Sequence, residues 1–198
     1  MLAEAIENAE IAFRQFEFSI RLLSYAELGK IEAAEFGRDH ITRLHNGTIR
    51  FSPETFYDDA SIWRAANINV VMTFAASAIA LNDAFEAAAI KVDVTATDSD
   101  SRIRTLVHMV RCAHAHRIAE PHWEARGKYA RLLIVNVDGI GTLHLDLPTL
   151  HQRPFDVESI GGYVGWYRIA NGALRQLRER DAKRGVLAGV LANGLNLY

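Results

Sequence analysis

Only one of the 198 residues is a cysteine, Cys112, so no intramolecular disulfide can form and a disulfide-stapled secreted scaffold is excluded. Prolines number four, too few for a proline-rich linker or recognition segment. No apolar run approaches the roughly 20 residues that a membrane-spanning helix requires. The most apolar stretch, 70–81, is broken by Thr73 and Ser77 and flanked by Asn67, Asn69 and Asn82, which reads as a buried core helix. The first residues, Met-Leu-Ala-Glu-Ala-Ile-Glu, are acidic and carry no apolar core, unlike a secretory signal. Internal repeats and low-complexity tracts are also missing. With 49% hydrophobic and 23% charged residues, the composition is that of an ordinary soluble globular protein, and the expectation is a cytoplasmic one.

The net charge of −2 hides an asymmetry. Residues 1–100 hold 8 Lys+Arg against 16 Asp+Glu, whereas residues 101–198 hold 14 against 8. Within 102–131, Arg102, Arg104, Arg111, Arg117, Arg126, Lys128 and Arg131 face only Glu120 and Glu124. A basic window of this kind attracts phosphate, or balances the acidic half across an internal or subunit contact.

Periodicity predicts mainly helix. Residues 2 to about 29 place Phe13, Phe16, Ile20 and Leu23 on one face, with Gly29 as the stop. A short helical piece is expected within 30–36. Asn46-Gly47 is a turn signal between two short strands, 41–45 and 48–51. From about Asp59 to Ile90 runs a helix apolar on most faces. The loop 95–101 is dense in capping residues and should start a third helix, which buries Ile103, Leu106, Val107 and Val110 and continues to Arg117, limited by Pro121. The period then changes from 3.6 to 2: Leu133, Val135 and Val137, a turn at Asp138-Gly139, then Leu143, Leu145 and Leu147. A last helix is expected from Tyr163 to Arg180 or Lys183, stopped by Gly185. The expected fold is therefore a single domain over 1–198, a bundle of about four helices with a small β-hairpin at about 129–147 inserted before the last one.

One stretch gathers the groups able to donate, accept or relay a proton near neutral pH: Arg111, Cys112, His114 and His116, followed by Pro121-His122-Trp123. Arginine grips phosphate with a planar fork and histidine shuttles protons, which is what cleavage of an RNA phosphodiester demands without any metal. In an unbroken helix, five residues separate Arg111 and His116 by about 140°, so they meet only if the helix loosens or a second chain supplies one of them. The bland alternative is a helix C-terminus decorated with the cations its dipole favours. A metal reading fares worse. His108, Cys112 and His116 fall at i, i+4 and i+8, but eight residues span about 12 Å, too far for three ligands of one ion. Nor does the surrounding sequence carry a thiol-protease or amidase signature for Cys112, or a dinucleotide fingerprint at Gly161-Gly162-x-x-Gly165.

Arg111-Cys112-Ala113-His114-Ala115-His116 resembles the signature of the HEPN superfamily, an arginine followed after four to six residues by a histidine. Its continuation, Pro121-His122-Trp123, is similar to that of a bacterial subgroup of HEPN-like proteins. The resemblance implies a dimerising four-helix bundle in which the Arg and His of both protomers share one composite cleft. It further implies metal-independent endoribonuclease activity, often of toxin or phage-defence type, with RNA as substrate and an antitoxin protein as partner. Carried over, Arg111 would steady the charge at phosphorus and His116 would move the proton. Cys112 and His114 stand beside them as supporting candidates, and the basic window supplies Arg102, Arg104, Arg117 and Lys128 as the residues expected to hold an RNA backbone. No cofactor or metal is implied. Many members carry Asn or Asp where this chain has Cys112. The alternative is an inactive relative that binds RNA or nucleotides, or serves to dimerise.

Overall fold

The computed structural model describes residues 1–36, 40–51, 56–115, 118 and 120–194. Four long helices dominate them: α1 (Leu2–Glu27), α3 (Asp59–Ala87), α4 (Ser99–His114) and α6 (Gly162–Gly194). The short helices α2 (Ala33–Phe36) and α5 (Leu147–Leu150) and two antiparallel hairpins, β1 (His40–Leu44) with β2 (Gly47–Phe51) and β3 (Leu132–Val137) with β4 (Gly141–Asp146), complete the set. The chain divides into two compact units, residues 13–74 and residues 1–12 with 75–198.

In the smaller unit, Phe13 and Phe16 of α1 are buried, and Phe16 meets Phe74 of α3 edge-on with ring centroids 5.6 Å apart. Beside them the Ser19 and Thr73 hydroxyls lie 2.6 Å apart, satisfying polar groups that would otherwise be costly in this contact. Gly29, at φ 63°, ends α1 as expected, with the Lys30 amide donating to the Tyr25 carbonyl at 2.9 Å in a Schellman closure. The β1–β2 hairpin forms, but Leu44 pairs with Gly47, so the turn residues are His45 and Asn46. Gly47 thus opens β2, one residue away from the role expected of it, because the register places it opposite Leu44.

In the larger unit, α3 buries Ala75, Ala78, Leu81, Ala84 and Phe85. This helix is long and apolar enough to cross a membrane by length and composition, and half of its most apolar window is buried. Its end is closed by Ala89 in the left-handed region (φ 57°) and the Ile90 amide bonding the Phe85 carbonyl. Asp98 caps α4, accepting from the Ser101 amide at 2.8 Å. Leu106, Val107, Met109 and Val110 form the fully buried face of α4; Ile103, expected with them, is half-buried. Leu133, Val135 and Val137 of β3 and Leu145 of β4 point inward, confirming the alternation, and the turn is a three-residue loop over 138–140. On α6, Trp166 is buried and its indole N–H donates to Ser77 Oγ of α3 at 2.9 Å.

Two expected helix ends need correcting. Gly185 does not stop α6, which runs to Gly194. An interior glycine costs a helix about 1 kcal/mol but ends it only when the backbone turns left-handed, and the apolar residues after it continue the helix. Conversely, α4 stops at His114 and not at Arg117. The Ala115 amide tightens onto the Cys112 carbonyl and the Ala113 carbonyl is taken by the His122 amide at 3.2 Å, so the loop replaces the next helical turn.

The start of α6 is packed too tightly for side chains. A Cβ on Gly165 would lie 2.3 Å from the Ile160 carbonyl oxygen. Gly165→Ala is therefore expected to destabilise the protein by about 1–3 kcal/mol through overpacking against backbone that cannot yield. Thermal unfolding checks this, and an unchanged melting temperature would refute the contact.

Candidate active site at the end of helix α4

Four-residue spacing puts Arg104, His108 and Cys112 in one row along α4. Arg104 opens the row and is 2% exposed. Its Nε donates to the Ile90 carbonyl (3.0 Å), its Nη1 donates to Asn82 Oδ1 (2.9 Å), and its guanidinium lies 5.1 Å from the centre of the Phe85 ring. Asn82 in turn donates from Nδ2 to Glu86 Oε1 at 2.8 Å, so the carboxylate that balances the buried cation acts through an amide. Burial pulls the Arg104 pKa below the usual arginine value, and Glu86 opposes that pull.

This chain of bonds fixes the next residue. Since Asn82 Oδ1 is the acceptor for Arg104, His108 Nδ1, 3.4 Å from the same oxygen, is the protonated nitrogen of the ring. Nε2 is then left as an acceptor 3.5 Å from Cys112 Sγ, within reach of the thiol proton. Burial, joined by the neighbouring Arg104 and Arg111 charges, pushes the His108 pKa down to about 4. Burial likewise raises the Cys112 pKa, with the Arg111 charge working against it. At neutral pH the pair is a neutral imidazole and a neutral thiol. Tyr129 covers the imidazole, ring centroids 5.1 Å apart.

Arg111 borders this row, and its side chain hydrogen-bonds the Cys112 thiol. Its Nε is buried and has no hydrogen-bond partner, and no carboxylate pairs with it among the described residues. His114, on the other side of the helix, is 1% exposed. Its Nδ1 lies 2.9 Å from the Val110 carbonyl, and its ring meets Phe155 edge-on at 4.8 Å. Burial holds its pKa low. His114 is thus a core histidine that locks the end of α4 onto the segment beyond. There Phe155 also packs on Trp123 at 4.9 Å, and residues 121–123 pair with 152–155: the Trp123 amide donates to the Arg153 carbonyl, the Gln152 amide to the Trp123 carbonyl, and the Phe155 amide to the Pro121 carbonyl. The Pro-His-Trp continuation is the brace that holds the Arg111 turn.

Of the residues expected to hold an RNA backbone, Arg104 belongs to the core, its donors directed inward. Arg102 is half-buried and donates to the Ile134 carbonyl (3.0 Å) and the Ala96 carbonyl (3.4 Å), bracing β3 against the loop before α4. Lys128 is exposed, 5.1 Å from the centre of the Tyr129 ring. His116 and Arg117 lie outside the described residues. Asn82, Glu86 and Tyr129 were not singled out from the sequence. The one signal for the first two was an amide and a carboxylate four apart at the end of an otherwise apolar helix.

The arrangement is electropositive: Arg104, Arg111 and Lys128 surround a histidine kept neutral, with Glu86 as the carboxylate tied into the row. This positive field attracts an anion, and Arg111, half-buried at the end of α4, is the guanidinium there without a carboxylate among the described residues. No protein-family model, curated protein or solved structure matches the chain.

Proposed function

We propose that this chain is a cytoplasmic, metal-independent endoribonuclease of toxin or phage-defence type, a homodimer whose long helices form a HEPN-like bundle. Arg111 and His116 of both protomers share one composite cleft. The observation that carries the reading is Arg111 at the end of α4, with no carboxylate partner among the described residues, while Arg102 and Arg104 of the same helix spend their donors on carbonyls and an amide. A guanidinium that no carboxylate neutralises is suited to gripping a phosphodiester through its remaining N–H groups.

In the reaction, the 2′-hydroxyl loses its proton to a base and attacks the adjacent phosphorus. The bond to the 5′-oxygen breaks as that oxygen gains a proton, leaving a 2′,3′-cyclic phosphate and a 5′-hydroxyl. Arg111 offsets the extra negative charge on the phosphoryl oxygens as it builds. The proton carrier is assigned to His116: His108 is engaged between Asn82 and Cys112, and His114 is packed in the core. Pairing of two copies is supported by apolar side chains left exposed in residues 13–74, Phe18 and Tyr25 seven apart on α1 and Ile68 and Met72 four apart on α3.

A second reading, an RNA-binding or dimerisation module without cleavage, is favoured by Cys112, whose thiol is engaged by His108 and Arg111 and offers substrate little. The two separate on incubating the purified protein with mixed cellular RNA in EDTA. Fragments ending in 2′,3′-cyclic phosphate are expected. Intact RNA after incubation with folded, dimeric protein would favour the binding module, whose affinity should fall with rising salt as phosphate contacts release counterions.

A further inference from the structure

A cavity of about 300 Å³ lies between the start of α4, the β3–β4 turn and the middle of α6, at the opposite end of α4 from Arg111. Two arginines of α6, Arg168 and Arg175, seven residues apart and so on one face of the helix, line it. Neither is paired with a carboxylate among the described residues. Arg168 makes a long contact from Nη1 to the Asp138 carbonyl, at 3.4 Å, and its guanidinium lies over Gly139. Asn136 and Asn171 contribute amides, and the carboxylates of Asp100 and Asp138 complete the wall.

Gly172 leaves the space open. It sits in the middle of a 33-residue helix, where alanine would be favoured by about 1 kcal/mol. Packing does not require the glycine: an added Cβ would meet nothing nearer than Ile103 Cδ1, at 4.0 Å, an ordinary contact. Gly165, about two turns earlier in the same helix, is the opposite case, since its Cβ would strike backbone. Because Gly172 lines the cavity, any longer side chain there would enter it.

We propose that this cavity is a binding site for a ribonucleoside monophosphate, separate from the Arg111 site by about 16 Å of helix rise. The two guanidinium groups take the phosphate. Asp100 and Asp138 accept from ribose hydroxyls or base N–H groups, and Asn136 and Asn171, each both donor and acceptor, read the remaining edges. Inorganic phosphate alone would leave the two carboxylates and two amides without the ribose hydroxyls and base N–H groups they suit, and a dicarboxylate would add to the carboxylates' repulsion. A phosphate ester carrying hydroxyl and N–H donors satisfies both halves of the wall.

Calorimetric titration of the full-length protein tests this with AMP, GMP, CMP and UMP, the four nucleosides and inorganic phosphate, all without RNA, so the result does not depend on cleavage. At least one nucleotide is expected to bind, about tenfold or more tighter than its nucleoside and than inorganic phosphate. Arg175→Ala should weaken it by about tenfold or more. Gly172→Leu should abolish binding while the melting temperature holds or rises, which separates a filled cavity from a damaged fold. Absence of binding to every nucleotide at millimolar concentration would overturn the proposal. So would nucleosides or phosphate binding as tightly as the nucleotides, or affinity unchanged in both variants.

Discussion

Arg111→Ala is expected to lower RNA cleavage by about 10²–10³-fold, the usual cost of deleting one charge-stabilising donor at a transition state. The fold should meanwhile be unharmed. Arg111 leaves its Nε buried without a partner and has no ion pair among the described residues, so truncating it removes an unsatisfied donor together with one weak bond to the Cys112 thiol. Urea unfolding of Arg111→Met should show stability equal to wild type or higher by about 1 kcal/mol. His116→Ala should fall by about 10²–10⁴-fold if it carries the proton. Arg104→Ala supplies the contrast, seven residues away on the same helix. It strips donors from Ile90 and Asn82 and leaves Glu86 without its buried counter-charge, at a cost of about 3–5 kcal/mol. Activity lost in Arg104→Ala should track unfolding; activity lost in Arg111→Ala should not. Full cleavage by a folded Arg111→Ala protein would end the ribonuclease assignment of this residue.

That contrast marks what was legible in the sequence. Residue type and helical spacing located the long helices, the Asp98 region as a cap and the β3–β4 alternation, because each is a local pattern. The basic window 102–131 was equally visible, but its reading as one phosphate-facing surface was not sound for Arg104. A count of charges cannot tell an arginine that faces water from one that meets an asparagine 22 positions earlier. Asn82 looked like the polar end of an apolar run and is instead the hub joining Glu86, Arg104 and His108. Gly185 and Gly172 make the same point about glycine: neither ends α6, and only the space around Gly172 gives it a meaning. The end of α4 was placed too late because the competitor for its last carbonyl, the His122 amide, arrives by a loop whose path depends on strand-like pairing with residues 152–155.

The row through His108 also makes the stability of the protein depend on pH in a defined window. His108 is held neutral in the folded state with a pKa of about 4, against an ordinary 6.5, by burial and by Arg104, Arg111 and Lys128, with Glu86 opposing. A histidine whose folded pKa is depressed binds protons more readily when unfolded. Its contribution to stability is therefore complete above pH 6.5 and is lost as the pH falls from there toward 4. Between pH 7.5 and 5 the loss from His108 alone is about 2 kcal/mol, with His114, depressed by its own burial, adding in the same direction. The acidic groups with shifted values do not confuse this window. Asp93 and Asp98 are both held below their ordinary value, by hydrogen bonds from Thr95 and Ser101 respectively, and so remain ionised at pH 5. Urea unfolding at the two pH values measures the difference directly. In His108→Gln the pH-dependent loss should shrink by about 2 kcal/mol, because glutamine does not titrate. A wild type equally stable at pH 7.5 and 5 would mean that His108 is not held neutral by its neighbours. The hydrogen-bonded row from Glu86 to Cys112 would then not be the element that sets the charge around Arg111.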